Sequence, residues 1–126
     1  MQSTIKTKVP RAVKESESMN SQLKRGTLEL CVLSIVNERD CYGYELVSRI
    51  SECMQVTEGT IYPLMKRLKD SGSIDSYIVE SQEGPPRKYY SITENGRTEL
   101  ERLESEWFAF VKSINRLLAT KGGAVS

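Results

Sequence analysis

The chain has 126 residues, 38% hydrophobic and 28% charged, enough for one modest core and one domain. Its 18 basic and 17 acidic residues leave a formal net charge of +1, so a polyanionic partner can be argued only from where the charges sit. Histidine is absent and cysteine occurs three times, which excludes His-based acid–base catalysis, a Ser-His-Asp triad, His metal sites and a four-thiolate zinc site.

No phosphate-cradling glycine loop or other catalytic constellation is present, so the chain reads as a non-enzyme with no cofactor and no metal. Cys31, Cys41 and Cys53 make no disulfide framework and read as reduced thiols of a cytoplasmic protein. Cys41 follows Arg39 near a helix start, a setting that can lower a thiol pKa and make a redox sensor. Cys31 lies on an apolar helical stripe and reads as inert packing, and nothing marks Cys53. The first twenty residues carry no apolar signal segment. The longest apolar stretch, Leu28 to Val36, is broken by Glu29 and Ser34 and is too short to span a membrane.

Residues 1–21 are polar, with Lys6, Lys8, Arg11 and Lys14 ahead of Glu15 and Glu17, and are expected to form a flexible tail or a basic arm. A first helix is expected from about Ser21 to Asn37. One stripe, Leu28, Cys31, Val32, Ile35 and Val36, and a second, Leu23, Leu30 and Leu33, predict burial on two sides, one of them against a partner chain.

Tyr42-Gly43-Tyr44 leads into a short helix with Leu46, Val47 and Ile50 inward. A third helix follows, with Thr57 as N-cap, Val56 and Ile61 as a hydrophobic staple, and Gly72 as the C-terminal glycine. Two helices joined by a short turn make a helix-turn-helix candidate. Ile74–Ser81 and Arg87–Ile92, separated by Gln82-Glu83-Gly84-Pro85-Pro86, predict a β-hairpin wing. Alternation sends Tyr89 and Tyr90 to opposite faces, so one of the two belongs to the core.

The last helix begins after the N-cap Thr93. Leu100, Leu103, Trp107, Phe110, Ile114 and Leu117 follow at spacings of 3, 4, 3, 4 and 3, an a/d seam that predicts dimerisation. The expected fold is therefore mainly α with a small β-hairpin wing: a winged helix-turn-helix over residues 22–93 plus a C-terminal dimerisation helix over 94–121.

With Ile61, Leu64, Met65 and Leu68 inward, the third helix turns Gly59, Pro63 and Lys66 outward, flanked by Thr60, Tyr62 and Arg67. A first turn of this kind suits the major groove of double-stranded DNA. Gly59 allows close backbone approach, Thr60 and Tyr62 donate hydrogen bonds, and Lys66 and Arg67 supply charge. Pro63 costs a helical hydrogen bond, and a helix that tolerates it is bent there or uses the ring as an apolar contact. Arg87 and Lys88 beside the Pro-Pro tip suit backbone or minor-groove contact. A competing reading, a winged-helix module for protein partners without a specific operator, would expose apolar groups where the third helix carries Lys66 and Arg67.

GTLELCVLSIV (Gly26 to Val36), YGYEL (Tyr42 to Leu46), EGTIYPLMKRLKDSG (Glu58 to Gly72) and GPPRKYYSITENG (Gly84 to Gly96) occur in an order and spacing that resembles the PadR family of bacterial transcriptional regulators. The resemblance covers roughly residues 22 to 118, and the single helix after the wing is similar to the small-PadR branch, which includes multidrug-responsive repressors. It implies a homodimeric repressor whose third helix enters the major groove and whose last helix packs on the partner. With Tyr42 of the YGYEL motif added, the candidate DNA contacts are Tyr42, Gly59, Thr60, Tyr62, Pro63, Lys66, Arg67, Arg87 and Lys88. The resemblance also implies that Trp107, the W of ESEWFAF, stacks a small planar aromatic or lipophilic effector between subunits; the alternative is a large core anchor.

Overall fold

The computed structural model describes residues 19–122. The tail expected over residues 1–21 lies outside that range except at its end, where Met19 already begins α1 (Met19–Glu38). Leu28, Val32, Leu33 and Val36 of this helix are buried, while Leu30, Cys31 and Ile35 pack against the core from its edge. The two expected stripes are thus redistributed. Leu33 joins the buried face, and Leu23 remains 43% exposed on the outer one.

A two-residue strand, β1 (Cys41–Tyr42), follows and has no periodic signature in the sequence. It leads into α2 (Gly43–Ser51), which buries Gly43, Leu46 and Ile50. The Tyr42 backbone N–H donates to the Glu45 carboxylate at 3.1 Å, satisfying a donor at the start of α2. Next comes α3 (Glu58–Asp70), with Ile61, Leu64, Met65 and Leu68 buried and Pro63 inside an unbroken helix.

Thr57 is the N-cap residue, but its hydroxyl makes no capping bond. Its carbonyl instead accepts from the N–H groups of Thr60 and Ile61 at 3.0 and 3.1 Å. At the other end Gly72 takes a left-handed conformation, φ +85°. There the Ser73 N–H donates to the Leu68 carbonyl at 2.9 Å and the Gly72 N–H to the Lys69 carbonyl at 3.0 Å, the paired bonds of a glycine C-cap.

The hairpin is β2 (Ile74–Val79) and β3 (Arg87–Ile92). The two strands pair antiparallel from Ile74↔Ile92 to Val79↔Arg87, and β3 also pairs with β1 through Cys41↔Tyr90 and Tyr42↔Tyr89. The sheet order is β1-β3-β2. Between the hairpin strands the prolines stand clear of the ladder, where no backbone donor is required. The chain ends in α4 (Glu94–Gly122).

Its N-terminus is locked to the C-terminal turn of α3. The Thr93 N–H donates to the Ser73 carbonyl at 3.1 Å. The Thr93 hydroxyl donates to the Gly72 carbonyl at 2.7 Å and accepts from the Gly96 N–H at 2.9 Å. A Cβ on Gly96 would run into the Ser73 carbonyl oxygen, so glycine is required there by contact rather than by φ. Farther along, Leu100 is 5% exposed, in the same cluster as Val32, Leu46, Ile61, Met65 and Ile74. Leu100 was expected on the dimer seam; two turns past Thr93 the helix still lies over its own domain, which takes up that side chain.

Cys41 is 2% exposed. Burial and, after it, the Glu45 carboxylate push its thiol up to about 11, outweighing the Arg39 charge. The setting expected to make Cys41 a redox sensor therefore does the reverse, because desolvation of the thiolate exceeds one exposed guanidinium. Among the described residues no helix is long and apolar enough to cross a membrane.

Gly96→Ala is expected to lower stability by about 1–3 kcal/mol, read as a lower urea midpoint with unchanged slope. Cys41 is expected to resist iodoacetamide in the native protein at mildly alkaline pH and to react once the chain is unfolded, as peptide mapping would show.

Candidate nucleic-acid interface

One face of the sheet carries an aromatic row that the strand register dictates. Tyr42, Tyr89 and Tyr77 occupy facing positions on β1, β3 and β2. The Tyr42 and Tyr89 rings meet at 5.5 Å between centroids, tilted by 57°, and Tyr89 stacks on Tyr77 at 5.8 Å. Arg87, two residues before Tyr89 and so on the same face, sets its guanidinium 4.5 Å from the centre of the Tyr42 ring. At the far end the Tyr77 hydroxyl donates to the Asp40 carboxylate at 2.6 Å, tying the wing to the loop before β1.

The opposite face resolves which tyrosine belongs to the core: Tyr90 packs against it. Tyr62 of α3 reaches the same region and covers Gly43, where a Cβ would collide with the Tyr62 ring. Tyr42, Gly43, Tyr44, Tyr62, Arg87, Lys88 and Tyr90 together line a shallow depression of about 220 Å³. Four residues singled out in the sequence, Tyr42, Tyr62, Arg87 and Lys88, thus come from three separate elements to one place.

Burial, with the nearby Glu58 carboxylate behind it, raises the Tyr62 pKa. Burial also raises Tyr90, with Tyr62 a lesser cause. At Tyr77 the hydrogen bond to Asp40 is the main reason for a raised pKa. All three hydroxyls therefore keep their protons at neutral pH and can donate.

Gly59, Thr60, Pro63, Lys66 and Arg67 are exposed on the outer side of α3 but do not line the depression. They form a second surface next to it, along the helix. The Lys66 ammonium meets the Asp70 carboxylate at 3.1 Å, an i,i+4 pair with both side chains well exposed. Such a pair holds little energy and yields readily to a phosphate.

Tyr44, 61% exposed beside Gly43, also lines the depression, and its only mark in the sequence is its place in the YGYEL string. The support row of Tyr77, Tyr89 and Asp40 has no local signature in the sequence, because it is assembled only by the pairing of β1, β3 and β2.

On the other side of the molecule Trp107 divides two grooves. One, about 350 Å³, lies between α1 and α4 and includes Leu23, Leu30, Leu103 and Phe110. The other, about 360 Å³, includes Ile35, Ile50, Met54 and Phe108. Leu103 packs partly against the core, whereas Phe108, Phe110, Leu117 and Leu118 are more than half exposed. Among the described residues no group of three or more His, Cys, Asp or Glu side chains could hold a metal ion.

The arrangement matches a known group of proteins. The model of the Transcriptional regulator PadR-like family matches residues 32–102. The crystal structure of a PadR-like transcriptional regulator from Bacillus cereus is 38% identical, covers 78% of this chain and 97% of that one, and has a TM-score of 0.72. A PadR family transcriptional regulator from Eggerthella lenta is 34% identical, with coverage of 86% and 94% and a TM-score of 0.73. An uncharacterized protein of Lysinibacillus sphaericus is 37% identical over 100 residues, 76% of this chain and 91% of that protein. With the winged-helix fold, the basic helix face and the wing already in place, the chain belongs to the PadR-like family of transcriptional regulators, DNA-binding proteins and not enzymes.

Proposed function

We propose that this regulator is a homodimeric repressor, of the small-PadR branch, that leaves its operator when a planar aromatic or lipophilic effector binds near Trp107. The observation that carries the DNA side of this reading is the convergence of Tyr42, Tyr62, Arg87 and Lys88 around one depression, next to the exposed face of α3.

In this reading the first turn of α3 enters the major groove. Gly59 admits the sugar-phosphate backbone, Thr60 and Tyr62 donate to base edges or phosphates, and the Pro63 ring supplies an apolar contact. Lys66 exchanges Asp70 for a phosphate, and Arg67 adds charge beside it. Arg87 and Lys88 of the wing clamp the neighbouring backbone, and Tyr42 holds the Arg87 guanidinium in place from below.

Dimerisation rests on the exposed apolar residues of α4. Phe110 and Leu117 are 53% and 69% exposed and Ile114 is 37% exposed, all on one seam with Trp107. An apolar helix face of this length is costly to leave in water, and a second copy of the same helix covers it by symmetry. Leu103 serves both the core and the seam, and Leu100 serves the core. The DNA-binding unit comprises residues 22–93 and the dimer helix residues 94–121. The grooves on either side of Trp107 offer apolar walls to a flat ligand, with Glu106 at one rim and Glu104 at the other.

The deciding experiment is an anisotropy titration of the protein on the DNA upstream of its own gene, against unrelated DNA, at several salt concentrations. Sequence-preferring binding with a steep salt slope supports the reading, and equal binding to both duplexes refutes it. Lys66→Ala and Arg87→Ala are expected to weaken binding to all sequences and to flatten the salt slope by roughly one each, whereas Tyr62→Phe changes sequence preference. Phe110→Glu, on a side chain exposed in the protomer, is expected to give a folded monomer in analytical ultracentrifugation that has lost tight operator binding. A stable dimer from this variant would refute the seam.

A further inference from the structure

A cluster of reactive side chains lies apart from the DNA-facing depression. Cys31 and Cys53 line one groove of about 360 Å³, with Met54, Ile35 and Trp107 beside them. Cys31 stands on α1 and is half-buried, and Cys53 is exposed in the turn that follows α2. Cys41 is buried in the core and does not line this groove.

The two thiols are also within electrostatic reach of each other. Burial raises the Cys31 pKa, and Cys53 adds to the shift. The turn that carries Cys53 is built on two backbone bonds, from the Cys53 and Met54 N–H groups to the Ile50 carbonyl, each 2.9 Å. Because the Cys53 side chain is exposed, it can swing toward α1 without emptying any part of the core.

We propose that Cys31 and Cys53 form an oxidisable thiol pair, which a hydroperoxide converts to an intramolecular disulfide that ties α1 to the turn between α2 and α3. The exposed Cys53 attacks first. Its thiolate sulfur bonds to one peroxide oxygen, the O–O bond breaks, and the departing oxide takes up a proton as water or alcohol. Cys53 is left as a sulfenic acid. The Cys31 sulfur then attacks the Cys53 sulfur, the S–O bond breaks, and hydroxide leaves with the Cys31 proton as water. Two thiols lose two electrons and two protons, and the hydroperoxide accepts them.

The division of labour follows from placement. Cys53 is the thiol that solvent-borne peroxide can reach, and Cys31, half-buried on the same groove, resolves the sulfenic acid. The bridge would close a loop containing β1 and the whole of α2, the first helix of the helix-turn-helix. It removes freedom between α1 and the turn that aims α3, so oxidised and reduced forms differ in DNA affinity. That consequence rests on the reading of α3 as the DNA-contacting helix, whereas the chemistry does not.

The test treats the reduced full chain with hydrogen peroxide, removes the oxidant with catalase, alkylates under denaturing conditions and measures intact mass. The expected product has one alkylated thiol, has lost two hydrogen atoms, maps to a Cys31–Cys53 peptide pair and reverts with dithiothreitol. Cys53→Ser, at an exposed position, and Cys31→Ser each abolish it. Oxygen addition without a bridge, a bridge only between chains, or a bridge to Cys41 would overturn the pair. The mass-verified oxidised form is expected to bind the same duplex with an affinity changed on the order of fivefold or more. An unchanged affinity would overturn the regulatory consequence. Reduced protein with no sequence preference would instead count against the reading of α3 and leave the mass result standing.

Discussion

The start of α4 is fixed by one close approach, that of Gly96 to the Ser73 carbonyl, with the Thr93 N–H donating to the same oxygen. The contact joins the left-handed C-cap of α3 to the N-terminus of α4, so the helix with the basic outer face and the helix carrying the apolar seam share one fixed corner. Leverage makes this corner consequential. At 29 residues α4 is about 43 Å long, and a tilt of about 5° at its base would carry the far end about 4 Å sideways. The Trp107 region connects to α3 through this joint, through the α1 packing and through the groove that Trp107 shares with Met54 in the turn before α3.

A nearly neutral chain meets a polyanion by holding its cations in different ways. Arg49 is paired with Glu38 at 3.1 Å, and Arg102 is held by Glu99 and Glu106, both on surfaces away from the wing. Arg87 rests on an aromatic ring, which fixes its position while leaving its charge undiminished. Burial keeps the Tyr62 and Tyr90 hydroxyls protonated, so the depression sets donors beside the Arg87 and Lys88 charges.

Much of this was legible in the sequence because it is periodic or punctuated. The stripe Ile61, Leu64, Met65 and Leu68, the glycine at 72 and the prolines at 85 and 86 each carry a local physical signature, and the elements fall where those signatures place them. What stayed hidden depends on pairing. A two-residue β1 has no period to detect, and without it the Tyr42–Tyr89–Tyr77 row cannot be assembled. Leu100 fitted the heptad spacing, yet its burial is decided by how far α4 overlies the winged domain, a tertiary matter. Cys41 misled for the same reason, since the neighbouring Arg39 is visible in the sequence and the desolvation that outweighs it is not.

The distribution of aromatic residues has a practical side. All six tyrosines lie between positions 42 and 90, on the winged domain, while the one tryptophan and both phenylalanines lie in α4. The two halves of the molecule therefore carry separate intrinsic chromophores. Tryptophan emission excited at its red edge reports events at the grooves on either side of Trp107 alone, and tyrosine absorbance reports the winged domain. A single unlabelled sample can thus show whether the two ends respond together or in sequence.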